Sequence, residues 1–187
     1  MELECRHYLA AFAAGGSAVQ LNDGAMQDYA LTLDRMIEHA AKWHPEKDVV
    51  TRRFDGSITR AGYADVYGRS RKVSAVLQRF DTKYGDRVAT LAWNSQAHME
   101  CWYGIMGLGA VCHTLNPRLT EEQLAWMIGQ SEARILIVSE DLLPLASKIA
   151  GLAPSLSEVL VIDTMGPKAP QIEGLPNVQA LEPLVAD

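Results

Sequence analysis

Cysteine is scarce in this chain, and charge is not gathered into blocks. Of its 187 residues only Cys5, Cys101 and Cys112 are cysteines. Three is an odd number, and their spacing is not that of a metal site. A disulfide scaffold is therefore excluded and a reduced compartment expected. The net charge is −6, and the 17 lysines and arginines are scattered. No basic stripe exists of the kind nucleic acid needs, so no nucleic-acid partner is expected. A membrane span requires roughly 20 apolar residues in a row, and no stretch approaches that. The short apolar run Tyr8-Leu-Ala-Ala-Phe-Ala-Ala follows Glu2 and Glu4, where a secretory signal would carry positive charge. The expected location is cytoplasmic. Internal repeats and low-complexity tracts are absent too.

What is present is a globular composition, with 48% hydrophobic residues, enough for a buried core. Residues 1–25 are rich in Ala and Gly without sustained periodicity. They read either as a loose extension (or misassigned start) or as a short peripheral helix over 6–14. Leu33, Met36, Ile37, Ala40 and Ala41 recur at helical spacing, which predicts an amphipathic helix over 32–43, ended by His44-Pro45. Asp55-Gly56 between two short strand-like runs, 48–54 and 57–59, predicts a hairpin. A long helix is expected over 61–80, with Tyr63, Val66, Tyr67, Val73, Val76 and Leu77 on its apolar face. Thereafter strand and helix alternate. Strands are predicted at 87–93, 110–115, 134–138 and 159–162, and helices at 95–108, 121–130 and 142–151. The helix over 95–108 reads as apolar nearly all round and hence buried. Thr120 and Gln123 have the spacing of a capping box. Strands such as Ile135-Leu-Ile-Val are short and continuously apolar, as in parallel strands covered on both faces. The fold class expected is α/β, a doubly wound, mostly parallel sheet with helices on both faces. Residues 164–177 are Pro- and Gly-rich and read as a linker, with 178–184 a last short strand or turn.

Few residues suggest chemistry. Gly104, Gly107 and Gly109 end a helix and precede a strand, the reverse of a dinucleotide fingerprint, so they read as packing and capping glycines. His98 and Cys101 are three apart on one helix, but no third residue is placed to orient the histidine, and the thiol reads as core. Cys112 and His113 are neighbours on a strand and point to opposite faces. His39 and His44 do not make a metal site. Glu121 and Glu122 occupy a first helical turn, where the helix dipole favours them. Trp93, Trp102 and Trp126 lack interleaved basic residues and read as core or interface. The polar candidates are Asn94, which follows one predicted strand, and Asn116-Pro117-Arg118, which follows another. Both lie at carboxyl ends of parallel strands, where open sheets bind ligands. Two readings stand: a ligand rim with Arg118 as an anion fork, or a rigid turn fixed by proline.

Several segments together resemble one family. They are Gly85-Asp-Arg-Val-Ala-Thr-Leu-Ala-Trp-Asn with His98 and Glu100, then Gly109-Ala-Val-Cys-His-Thr-Leu-Asn-Pro-Arg-Leu, Glu122-Gln-Leu and Ile135-Leu-Ile-Val. Tyr29-Ala-Leu-Thr-Leu and Thr59-Arg-Ala-Gly-Tyr-Ala-Asp fit as well. The chain is similar to the N-terminal portion of AMP-forming fatty acyl-CoA synthetases, adenylate-forming acid–thiol ligases. The resemblance covers residues 26–163 and implies the N-terminal subdomain of that fold, with 164–187 a linker and truncated end. It implies a medium- or long-chain fatty acid joined to CoA through an acyl-adenylate, with ATP, Mg²⁺ and CoA as cofactors of the full-length family. The family's Thr/Ser-Gly-rich phosphate loop, its adenine-binding Thr-Glu, its ribose-binding Asp and its C-terminal lysine do not occur here. Pro167-Lys168 lacks the preceding Thr/Ser-Gly run. The implication is a ligase by family that is inactive alone, with no catalytic, cofactor-binding or metal-binding residue of its own. The expected partner is a second copy, as a homodimer, or the missing C-terminal part of a synthetase. The alternative is a non-catalytic dimerisation or partner-binding module built on the same fold. An independent flavodoxin-like nucleotide binder would need a glycine loop after the first parallel strand, and Trp93-Asn-Ser-Gln-Ala-His has none.

Overall fold

A computed structural model describes residues 30–53, 55–164 and 168–186. The two readings of residues 1–25 lie outside these. The elements run α1 (Asp34–Trp43), β1 (Asp48–Arg52), β2 (Ile58–Gly62), α2 (Tyr63–Arg79), β3 (Arg87–Leu91), α3 (Gln96–Gly107) and β4 (Val111–Thr114). They continue with α4 (Glu121–Ser131), β5 (Ile135–Ser139), α5 (Leu143–Ala150), β6 (Glu158–Ile162), β7 (Val178–Ala180) and α6 (Leu181–Ala186). A 3₁₀ turn over Glu140–Leu142 leads into α5.

β3 to β7 form one sheet in the order β4-β3-β5-β6-β7, and every neighbouring pair is parallel. Parallel neighbours need crossover connections; among the described residues helices make all of these but the β6–β7 one, and they cover both faces. Alternate residues of each strand therefore feed two cores. Leu136 and Val138 join Leu124, Ile128, Leu143 and Ile149 of α4 and α5 on one side. Ile135 and Ile137 join Val73, Leu77, Cys101 and Ile105 of α2 and α3 on the other, with Leu181 and Val185 of α6. All five residues of β5 are buried, as a strand covered on both faces must be. The chain leaves β3 toward β4 on one side, then crosses to β5 on the other. This reversal is the topological switch point of the doubly wound architecture.

The 48–62 region is an antiparallel hairpin, Asp48 opposite Gly62 and Arg52 opposite Ile58. Its turn needs the left-handed backbone of Gly56 (φ 85°). The second strand runs to Gly62, later than the pattern predicts, and α2 starts at Tyr63. Thr120 and Gln123 make the reciprocal capping box. Gly104 lies against α2 so closely that an added Cβ would stand 2.7 Å from Val73 Cγ1 and 2.8 Å from the Ser70 carbonyl oxygen. Gly109 (φ 73°) closes the end of α3. These glycines are packing and capping positions.

Three further details differ from the sequence reading. Where a last short strand or turn is expected over 178–184, β7 covers only Val178–Ala180 and the chain continues as helix α6. Ile37 alone is buried on α1, while Leu33 and Met36 of the expected apolar face are exposed. The helix is only 10 residues long, so it presents one turn to α2 and the rest to solvent. α3 is not buried all round either. Trp102 and Gly107 face outward, because this layer covers its helix from one side only.

Candidate functional site

The carboxyl ends of β3, β5 and β6 converge at the switch point, and side chains tie them together. Trp93, after β3, donates its indole N–H to Asp141 Oδ2, after β5, at 2.7 Å. Ser95 Oγ, which caps α3, donates to Asp163 Oδ2, after β6, at 2.7 Å and accepts the His98 amide at 3.1 Å. Thr51 Oγ1 from the hairpin accepts the Gln96 amide at 2.8 Å. The amino terminus of α3 thus has its donors partly engaged already.

His98 is buried one turn below. Its Nδ1 lies 3.1 Å from the Trp93 carbonyl and its Nε2 lies 2.9 Å from Thr90 Oγ1. A carbonyl only accepts, so Nδ1 carries the proton and Nε2 accepts from the threonine hydroxyl. Burial pushes the His98 pKa down, against the Trp93 carbonyl and Asp163, which favour the cation. The ring is a neutral strut with both nitrogens occupied. Cys101 beside it is fully buried, and burial raises its thiol well above the ordinary value. Burial likewise pushes the Cys112 thiol up to about 11. Both are poor nucleophiles at neutral pH.

A cleft of about 530 Å³ opens between the hairpin, α2, α3 and α6, beside the end of β6. That size lies within the range of small-molecule sites. Its floor is apolar, with Val73, Ala97, Val161 and Val185. Its wall carries a charge cluster the sequence reading did not find. Arg69 Nε lies 2.9 Å from each oxygen of Glu100, and its two Nη atoms reach Glu182 Oε1 and Oε2 at 3.1 and 2.6 Å. Gln96 Nε2 donates to Glu100 Oε1 at 2.7 Å. Burial raises the Glu100 pKa, and the bonds from Gln96 and Arg69 only partly offset it. Burial also works against the Arg69 cation, but Glu182 and Glu100 outweigh it and hold the guanidinium above its ordinary value. The signal was one glutamate in the otherwise apolar Met99-Glu-Cys-Trp run; its partner 31 positions away was not visible.

The predicted rim divides. Asn94 stands at the carboxyl end of β3 and lines a second cavity of about 330 Å³ beside the cleft. Asn116, Pro117 and Arg118 follow β4 at the sheet's edge and line neither cavity. Asn116 Oδ1 accepts the Arg118 amide at 3.1 Å, an Asx turn, and the Arg118 side chain is exposed.

The cleft does not fit a magnesium–nucleotide. Among the described residues its charged lining is Arg53 and Arg69 against Asp65, Glu100, Asp163 and Glu182. Arg69 is committed to two carboxylates, and Arg53 Nη2 donates to the Asp163 and Thr164 carbonyls at 3.1 and 2.9 Å. A triphosphate would meet a surplus of negative charge. The arrangement ties α2, α3 and α6 into one wall through Arg69.

Residues 37–183 match the family described as AMP-binding enzyme. The chain is 35% identical over 153 residues to a long-chain-fatty-acid–CoA ligase of Thermus thermophilus, covering 82% of this chain and 28% of that protein. It is 34% identical over 153 residues to a medium-chain-fatty-acid–CoA ligase of Ectopseudomonas oleovorans, covering 81% and 28%. A 3-methylmercaptopropionyl-CoA ligase of Ruegeria lacuscaerulensis is 32% identical over 163 residues, covering 87% and 30%. The chain thus spans less than a third of the length of these relatives. Among solved structures, a putative long-chain-fatty-acid CoA ligase of Rhodopseudomonas palustris superposes with a TM-score of 0.66 at 20% identity, covering 83% of this chain and 36% of that one. An anthranilate CoA ligase in complex with anthranoyl-AMP superposes with a TM-score of 0.64 at 24% identity, covering 73% and 27%. The fold is that of these ligase domains, and the chain belongs to the AMP-binding enzyme family.

Proposed function

We propose that these 187 residues are the N-terminal α/β part of an AMP-forming medium- or long-chain fatty acyl-CoA synthetase, and that they do not adenylate by themselves. The whole enzyme would convert fatty acid, ATP and CoA to acyl-CoA, AMP and pyrophosphate in the cytoplasm. The observation that carries the second half is the cleft at the sheet's carboxyl edge. Its carboxylates outnumber its cations, and both arginines are already engaged. ATP, Mg²⁺ and CoA would be held by other parts of the enzyme. This part would supply a wall, with Asn94 as a rim beside the cleft and the Asn116-Pro117-Arg118 turn as a separate rim at the sheet's edge, away from both cavities. Adenylation is stabilised by groups that neutralise the phosphates, and among the described residues the cleft's two arginines are both committed to protein partners.

ATP–pyrophosphate exchange tests this, with the chain alone, Mg²⁺ and fatty acids from C6 to C18. The expected result equals the protein-free blank. Exchange clearly above it would overturn the proposal.

A second reading has its own support. Trp102, Trp126 and Val111 are 42, 66 and 50% exposed. Val111 lies on β4 at the edge of the sheet, with Trp102 and Trp126 on the helices before and after it. Exposed apolar side chains gain by burial against a partner, and a homodimer is the simplest closed assembly. Light scattering after size exclusion would reject this reading if the chain stays monomeric up to near-millimolar concentration.

A further inference from the structure

The second cavity, about 330 Å³ between β1 and α3, has a chemistry unlike that of the cleft. Its walls are Val49 and Val50 of the hairpin and Met99, Trp102 and Tyr103 of α3. Among the described residues lining it there is no Asp, Glu, Lys or Arg. Its polar groups are largely spent. Both nitrogens of His98 are engaged, with Thr90 and the Trp93 carbonyl. Ser95 Oγ donates to Asp163 and accepts from the His98 amide. Thr51 Oγ1 already accepts from the Gln96 amide. The exceptions, none of which makes a hydrogen bond among the described residues, are the Trp102 indole N–H, the Tyr103 hydroxyl and the Asn94 carboxamide, the last exposed at the rim.

We infer that this cavity is a binding site for a neutral, ring-bearing small molecule carrying an amide or hydroxyl group. The uncharged body follows because an ion of either sign taken in here would leave water without meeting a countercharge in the lining. The formal charge behind the wall is the Asp163 carboxylate on Ser95, which would repel an anion further. A ring is favoured because Trp102 and Tyr103 offer aromatic surface and Met99 a polarisable thioether. Trp102 is held at the wall by a T-shaped contact with His98, ring centroids 5.8 Å apart at 69°. The polar group follows from Asn94 at the rim, whose carboxamide can both donate to and accept from an amide or alcohol, with the Trp102 N–H and the Tyr103 hydroxyl as further unspent groups. The volume lies at the small end of ligand sites. This site is separate from the cleft and does not depend on the adenylating role proposed above.

Benzamide and benzoate are matched probes, equal in ring and differing in charge. Titrated into the intact chain and followed by ¹⁵N NMR, benzamide should shift the Trp102 indole N–H and the Asn94 side-chain amide saturably. Benzoate should bind roughly tenfold more weakly or not at all. Asn94→Ala, on an exposed loop that keeps the fold, should weaken benzamide by roughly two- to tenfold. Val49→Trp should fill the cavity and abolish the shifts, with dispersion of the remaining resonances reporting the fold. No saturable benzamide binding, equal binding of benzoate, or shifts that persist in both variants would each overturn the inference.

Discussion

Replacing Arg69 by Met strands the Glu100 carboxylate. Glu100 is 2% exposed, and its remaining side-chain partner would be Gln96. Breaking a buried pair from one side typically costs about 3–5 kcal/mol, because the other charge stays behind without compensation. The Arg69 side chain is itself 30% exposed, so water reaches it and the low end applies, about 3 kcal/mol. With a urea m-value near 2 kcal/mol/M, the midpoint should fall by about 1.5 M. The contact with Glu182 contributes little to this, since that side chain is 61% exposed. Glu182→Gln alone should cost less than about 1 kcal/mol. Adding Glu100→Gln to the Arg69 variant removes the stranded charge and should restore more than half of the loss. The pH dependence has a definite sign. Burial raises the folded Glu100 pKa above its usual 4.5, so the folded state binds this proton more tightly than the unfolded one. The group's contribution is then fully present below 4.5 and is lost as pH rises through the raised folded value. Removing Arg69 lifts that value further, so the variant's deficit should shrink as pH falls from 7 toward 5. Urea melts of the four proteins at both pH values decide the matter. A loss below about 1 kcal/mol at pH 7, or no recovery in the double variant, would refute the reasoning.

Gly104→Ala should destabilise by about 1–3 kcal/mol, because its Cβ would meet the Ser70 carbonyl and Val73 and force α2 from α3; thermal melts report it. Thr120→Ala should cost about 1 kcal/mol through loss of the capping box on α4, read in the same melts. The His98 C2–H resonance should titrate with a midpoint below 6.5. Its depressed folded value contributes stability that is present above 6.5 and lost as pH falls through the folded value, so a midpoint above 6.5 would contradict the neutral strut.

The order of strands and helices was legible in the sequence because it is carried by local signals. Continuous apolar runs such as Ile135-Leu-Ile-Val mark strands covered on both faces, Asp55-Gly56 marks the hairpin turn, and Thr120 with Gln123 marks a helix start. Boundaries shifted where packing decided them. Gly62 stays extended because β2 pairs with β1, whatever the helical tendency of the residues around it. The resemblance to acyl-CoA synthetases was likewise legible, since it rests on residues along one stretch of chain. What tertiary structure alone decided is the set of long-range contacts. Arg69 meets Glu100 and Glu182 across 31 and 113 positions, and Trp93 meets Asp141 across 48. Asn94 faces a cavity while Asn116-Pro117-Arg118 stands apart from both, although both follow parallel strands in the same way. Strand order makes that difference: β3 is central at the switch point and β4 is the edge. A sequence states which residues precede a turn, but neighbours across the sheet are chosen by how the crossovers wind, and that is a property of the folded chain.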